Sequence, residues 1–175
     1  MNELGTKKII TSRLILRKIE EKDSKEIYEG FINQDEFCYY ANKPKRTLEE
    51  QIKSLVGIKD KYLNPYYFNW VIVLECNNKI IGSINAHFVE EENKVIINYG
   101  LDNRYFNNGY MSEALSSVLK YLKEEVKIPR IVCGCVIKNI ASKKVMEKAG
   151  MKFVGIKEKE VELSDGIHDM YEYTF

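Results

Sequence analysis

The stretch Arg104-Tyr-Phe-Asn-Asn-Gly-Tyr-Met-Ser-Glu-Ala114 decides how this chain is read. Just before it, Val95-Ile-Ile-Asn-Tyr-Gly-Leu101 has the apolar content of a buried strand. Just after it, apolar residues recur at Met111, Ala114, Leu115, Val118, Leu119, Leu122 and Val126, which is the spacing of one helix face. The order is therefore strand, short polar turn with Gly109, then helix. Such a turn leaves the first backbone N–H groups of the helix unpaired and pointing one way. Their partial positive charge suits a phosphate or pyrophosphate. A single glycine is a weak phosphate signal, and an ordinary strand-to-helix connection would read the same way.

The 175 residues around this turn suffice for one domain. With 45% hydrophobic and 30% charged residues, the chain can bury a core and stay in solution. A net charge of +1 gives no bulk electrostatic case for nucleic acid or for an acidic membrane surface. No apolar run approaches the roughly 20 residues that span a bilayer, and Met1-Asn-Glu-Leu-Gly-Thr-Lys-Lys lacks an apolar signal core. Cysteines stand at 38, 76, 133 and 135, and Cys133 and Cys135 share one face of an apolar run as packed thiols. No second Cys pair or His cluster has ligand spacing, so no metal is expected. These features predict a cytoplasmic, reduced protein.

Along the chain, Lys8-Ile-Ile and Arg13-Leu-Ile-Leu-Arg17 read as a first strand. Asp23 and Glu26 have the spacing of a helix start, as do Thr47 and Glu50, predicting helices over 23–42 and 47–63. Three strands, 67–76, 79–89 and 94–101, follow as an antiparallel meander. After the glycine turn and its helix comes the buried strand Ile131-Val-Cys-Gly-Cys-Val-Ile137, then a short helix capped by Asn139 and ended by Gly150. Strands at 152–163 and 168–175 meet at Asp165-Gly166. Antiparallel strands first and a βαβ unit later predict one α+β domain with a mixed, mostly antiparallel sheet of about seven strands and about four helices.

Two motifs in this order, Asn108-Gly-Tyr-Met-Ser-Glu-Ala114 and Asn139-Ile-Ala-Ser-Lys-Lys-Val-Met-Glu-Lys-Ala-Gly150 followed by Phe153 and Gly155, resemble the GNAT superfamily of acetyl-CoA-dependent N-acetyltransferases. The Arg13-Leu-Ile-Leu-Arg17 opening and the Asp165-Gly-Ile-His-Asp-Met-Tyr171 ending are similar to its RimJ/RimL-type branch, which acetylates ribosomal-protein N-termini. The resemblance covers nearly the whole chain. It implies that Phe106, Asn107, Asn108, Gly109, Tyr110, Met111 and Ser112 hold the CoA pyrophosphate through backbone N–H groups. It also implies that the pantetheine arm pairs with strand backbone near Tyr99 and Leu101, with Asn139 contacting the same arm. The chain departs from the family pattern at Phe106, usually Arg, Gln or Trp; at Asn107, usually Gly; and at Met111, usually Gly or Ala.

Many family members carry a Tyr four residues after the Ser142 position to protonate the leaving thiolate. Here that position is Met146, which cannot donate a proton. The resembling branch assigns the work to a Ser, here Ser142, whose other reading is a small residue packed beneath the cofactor. A general base must take the amine's proton. In that branch a Glu on the strand after the last helix is proposed; counting back from Gly166 gives Glu162, whereas counting forward from Gly150 gives Val161. Glu160, His87 and His168 stay open as alternatives.

The resemblance therefore predicts an N-acetyltransferase that needs acetyl-CoA but no metal and acts on a protein N-terminal α-amine by direct attack in a ternary complex. A small amine such as a polyamine, an amino acid or an antibiotic is the alternative acceptor, and a non-catalytic CoA-binding module or a nucleotide-binding domain are the alternative classes. Monomer and homodimer both stay open.

Overall fold

The computed structural model describes residues 4–175. Residues 1–3, the start of the segment read as lacking a signal core, lie outside them. Eight strands form one sheet: β1 (Ile9–Ile10), β2 (Leu14–Lys18), β3 (Phe68–Leu74), β4 (Ile80–Val89), β5 (Lys94–Leu101), β6 (Arg130–Val136), β7 (Lys152–Leu163) and β8 (Gly166–Thr174). Their spatial order is β1-β2-β3-β4-β5-β6-β8-β7. Every neighbouring pair is antiparallel except β5 and β6.

The period-2 alternation of the strands sorts the core into two layers. Leu14, Leu16, Trp70, Ile72, Ile84, Val95, Ile97 and Cys133 face α5 (Tyr110–Lys120) and its π-helical extension Tyr121–Val126. On the other face, Val71, Val73 and Ile80 pack against Ile27, Phe31, Leu55 and Ile58 of the N-terminal helical segment. That second layer covers only one half of the sheet.

The N-terminal helices are more broken than the sequence pattern suggests. The expected 23–42 helix is α1 (Ser24–Gly30) and α2 (Asp35–Ala41), parted where Phe31 drops into the core. The expected 47–63 helix is α3 (Leu48–Leu55) and α4 (Ile58–Lys61), parted at Gly57, whose φ of 69° is left-handed. The expected first strand is the hairpin β1–β2, which adds the eighth strand. Thr47 caps α3, with its Oγ accepting from Glu50 N–H and the Glu50 carboxylate accepting from Thr47 N–H. Asp23 does not cap α1. Its carboxylate takes the Arg17 guanidinium at 2.7 and 2.9 Å and the Glu20 N–H at 2.8 Å. Glu26 likewise reaches across to accept the Ile80 N–H at 2.8 Å.

β5 and β6 pair over only four residues, from Lys94↔Arg130 to Ile97↔Cys133. Beyond that point β5 runs on to Leu101 beside β4, and β6 runs on to Val136 beside β8. The two strands splay and leave a cleft between edges that no strand fills. α6 (Ile140–Lys148) starts at the cleft's β6 side, and α5 starts where β5 ends.

Asp23 joins β2 to the α1 start with both oxygens engaged while it is itself buried. Asp23→Ala should therefore lower the unfolding free energy by about 3 kcal/mol, the range for removing one partner of a buried ion pair. Urea denaturation of the two proteins checks this.

Candidate active site

Two groups of residues flank the cleft. The first is the turn at the end of β5. Asn107 (φ 61°) and Gly109 (φ 77°) both sit in the left-handed region, which Asn and Gly tolerate best. Gly109 is the N-cap of α5, so the N–H groups of Tyr110, Met111 and Ser112 have no intrahelical acceptor. Met111 is buried in the core beneath the helix, so its bulk is directed away from the exposed turn. The Asn108 side chain donates to the Phe106 carbonyl at 2.9 Å and closes the turn on itself.

One buried carboxylate, Asp102, and one partly buried one, Glu113, brace this turn. Asp102, fully buried, accepts from the Arg104 guanidinium, from Arg104 N–H and from Gln34 Nε2, while Gln34 Oε1 accepts the Asn103 N–H. Burial alone would raise the Asp102 carboxyl, but the hydrogen bonds from Arg104 and Gln34 outweigh it and hold it below its usual range. Glu113 in the first turn of α5 accepts from Thr11 Oγ at 2.6 Å, Ser12 Oγ at 3.0 Å, Arg13 N–H at 3.1 Å and Arg13 Nε at 2.8 Å. Arg13 also donates to the Asn108 carbonyl at 3.0 Å, and its guanidinium lies 4.5 Å from the Tyr110 ring centroid. A cation therefore stands beside the helix N-terminus, where an anionic group would bind. In the sequence Arg13 read as a strand residue and as the start of the branch-like opening, with no role at this turn.

The second group lies across the cleft. Asn139 Oδ1 accepts the Ser142 N–H at 3.0 Å and caps α6, as the Asn at this position predicts. The Tyr99 hydroxyl, reaching from β5, is 2.8 Å from Ser142 Oγ and donates to the Ser142 carbonyl at 3.0 Å. Burial pushes the Tyr99 phenol well above its ordinary pKa, so it stays protonated at neutral pH. Met146 is fully buried in the core. Sequence reasoning placed Tyr99 here for its backbone and did not anticipate its phenol.

Leu101 ends β5 and packs on the core. Glu162 is exposed, paired with Ile167 in the outer arm of the β7–β8 hairpin. Among the described residues no hydrogen bond links Glu162 to Tyr99, Ser142 or Asn139. The register between β7 and β8 slips between Lys157 and Val161, so Val161 pairs with His168 and Glu162 with Ile167 on the outer side of the bulge.

The tip of that hairpin touches α2. Asp165 accepts from Tyr39 Oη at 2.7 Å and Lys138 Nζ at 2.7 Å, and lies 2.8 Å from His168 Nε2. These hydrogen bonds, Lys138 first, hold the Asp165 carboxyl far below the usual carboxylate range. Phe37 of α2 covers Gly100 so closely that a Cβ there would lie 2.3 Å from its ring. α2 thus roofs the cleft on the face away from α5. Among the described residues, no three His, Cys, Asp or Glu side chains are grouped to hold a metal, and no helix is long and apolar enough to cross a membrane.

Comparison with known proteins agrees with this geometry. A model described as the acetyltransferase (GNAT) domain matches residues 13–152. An uncharacterized N-acetyltransferase of Bacillus subtilis (strain 168), YnaD, is 32% identical over 166 residues, 95% of each chain. The crystal structure of a GNAT-family acetyltransferase from Bacillus anthracis superposes with a TM-score of 0.84 at 29% identity, covering 97% of this chain and 98% of that one. RimL, described as a ribosomal L7/L12 alpha-N-protein acetyltransferase in complex with coenzyme A, shares the fold with a TM-score of 0.79 at 20% identity over 97% of each chain.

Because the folded-state carboxyl of Glu113 is held below its usual range, its contribution to stability is present above the unfolded value of about 4.3 and is lost as pH falls through the folded value. The stability gap between the parent and Glu113→Gln should thus be constant near neutrality and narrow in acid. Denaturation curves across that pH range measure it.

Proposed function

This chain belongs to the GNAT family and is an acetyl-CoA-dependent N-acetyltransferase, and on that premise we propose that its acceptor is a protein N-terminal α-amine, acetylated by direct attack in a ternary complex in the cytoplasm. The observation that carries the reading is the splay of β5 from β6, with a helix N-terminus at one end and the Tyr99–Ser142 contact across it. Acetyl-CoA supplies the acetyl group. The backbone of 106–112 holds its pyrophosphate, and the Arg13 guanidinium, paired with Glu113, stands beside it. The free edges of β5 near Tyr99 and Leu101 pair with the pantetheine arm, Asn139 contacts it from α6, and backbone N–H in the same edge polarises the thioester carbonyl. The RimL likeness supports the choice of acceptor.

In this reading Ser142 meets the charge that develops on the leaving sulfur. A free thiol titrates near pH ~8.5 and a phenol near ~10, and burial lifts Tyr99 higher still. Outright proton transfer from either hydroxyl to sulfur is uphill. Ser142 therefore acts by hydrogen bonding: the Tyr99 phenol turns its hydrogen from the Ser142 carbonyl to Ser142 Oγ, which frees the serine O–H to donate to the sulfur, and the N-terminus of α6 adds its own partial charge. Glu162 is the group we assign to take the amine's proton, through water. Monomer or homodimer serves this scheme equally.

Gly109→Asp tests the binding half. Its Cβ would find room, 3.6 Å from Arg13 Nη2, but the left-handed backbone and the new charge both oppose the pyrophosphate. Calorimetry should show much weaker CoA binding by the folded variant; unchanged affinity would remove this turn from the site. Ser142→Ala tests the chemistry. Turnover should fall by roughly 100-fold, the low end for losing one donor aimed at developing charge, with acetyl-CoA affinity little changed because the charge appears only late. Tyr99→Phe should fall in the same direction by less. Parent-like turnover in Ser142→Ala would make the serine a packing residue.

A further inference from the structure

We propose that a row of side-chain amides, Asn85 and Asn98 at its centre, binds the acceptor and selects amines that are followed by peptide amides over polycationic amines. The proposal rests on reading the β5–β6 cleft as the thioester site.

Registers Asn69↔Asn85 and Asn85↔Asn98 set three asparagines in line across β3, β4 and β5. They share the sheet face opposite α5. Asparagine is disfavoured in strands because it packs poorly on a pleated, half-buried surface. Three in register therefore call for a reason other than folding. The flanking row on one side, Val71, Ser83 and Gly100, runs under the N-terminal helices and Phe37. The amide row lies just past that cover, beside α2, which the Tyr39–Asp165 bond holds to the β7–β8 hairpin.

Asn98 is the first β5 residue beyond the last β6 pair, Ile97↔Cys133. Strand alternation puts its amide on one face of the cleft mouth while Tyr99, next in sequence, reaches Ser142 on the other. One residue step thus separates the side that holds the leaving sulfur from the side open to the acceptor. Asn98 is exposed, and its Nδ2 makes a long 3.4 Å contact to Asn85 Oδ1. Asn98 Oδ1, its second N–H and the Asn85 Nδ2 have no partner among the described residues. An amide offers a donor and an acceptor side by side, the complement of an extended peptide's N–H and C=O.

Charge on this face argues the same way. Continuing the row past Gly134 leads to Glu172, whose carboxylate is held by Lys157 Nζ at 2.6 Å with Arg130 at 3.8 Å. Asp165 at the roof edge is held by Lys138. Both of these carboxylates already have cations, so beyond the Glu162 base a polyamine finds neutral amides and compensated charge.

Steady-state kinetics with acetyl-CoA would compare a short lysine-free peptide bearing a free N-terminus with spermidine. The parent should prefer the peptide. Asn98→Ala should raise the peptide KM about tenfold, as for one or two lost hydrogen bonds, with kcat little changed. Asn98→Asp keeps the shape but turns the donor into a charge, and should move the preference toward spermidine. An unchanged peptide KM in folded Asn98→Ala overturns the row, as does parent turnover of spermidine but not of peptide; both leave the transferase reading standing. Failure of the parent to bind CoA in calorimetry would overturn that reading and the row with it.

Discussion

Four residue pairs of parallel sheet, Lys94 to Ile97 against Arg130 to Cys133, are the constraint on which the rest of this structure depends. If β5 and β6 stayed paired to their ends, the sheet would be closed and no backbone would be free for a ligand. Because they part, the strand edges past Ile97 and Cys133 carry polar groups that no strand satisfies, in a place where unpaired backbone is costly. The cleft is held open by what stands on either side. β4 keeps β5 straight to Leu101, and β8 keeps β6 straight to Val136. The core beneath, from Leu115 to Leu122 and across to Met146, supports both arms on one face.

Carboxylates at three corners then tie distant segments to this cleft. Glu113 fixes the β1–β2 turn to the start of α5, Asp102 fixes the α1–α2 connection to the turn before it, and Asp165 fixes α2 to the last hairpin. The first two carboxylates are largely shielded from solvent and each gathers several hydrogen bonds, while their arginine partners are about half exposed. The third is exposed and correspondingly weak. α2 has no buried residue, so the roof of the cleft is lightly held. The cleft thus has a firmly tied side at the α5 turn and a lightly fastened side at α2.

The chemistry shows a related exchange of parts. The helix position where many family members keep a tyrosine is here a buried Met146, and the phenol that reaches Ser142 comes instead from Tyr99 on the facing strand. A hydroxyl pair spanning the cleft also joins β5 to α6, so the group proposed to meet the leaving sulfur is tied to the opening of the strands.

What the sequence determined by itself was whatever depends on residues a few positions apart. The strand–turn–helix around Gly109, the Thr47–Glu50 box and the Asn139 cap follow from periodicity and from side chains that reach only to the next turn. The family resemblance added the cofactor, and membership is confirmed over most of the chain. The breaks after Gly30 and at Gly57, the use of Asp23 as Arg17's partner rather than as a cap, and the Glu162 register across a bulge were decided elsewhere. So were the placing of Arg13 at the turn, of the Tyr99 phenol on Ser142 and of the asparagine row. Their contacts join residues 43, 95 and 126 positions apart, as in Tyr99–Ser142, Arg13–Asn108 and Tyr39–Asp165. No local preference encodes such a pairing; it exists only once the sheet has brought those strands and helices side by side.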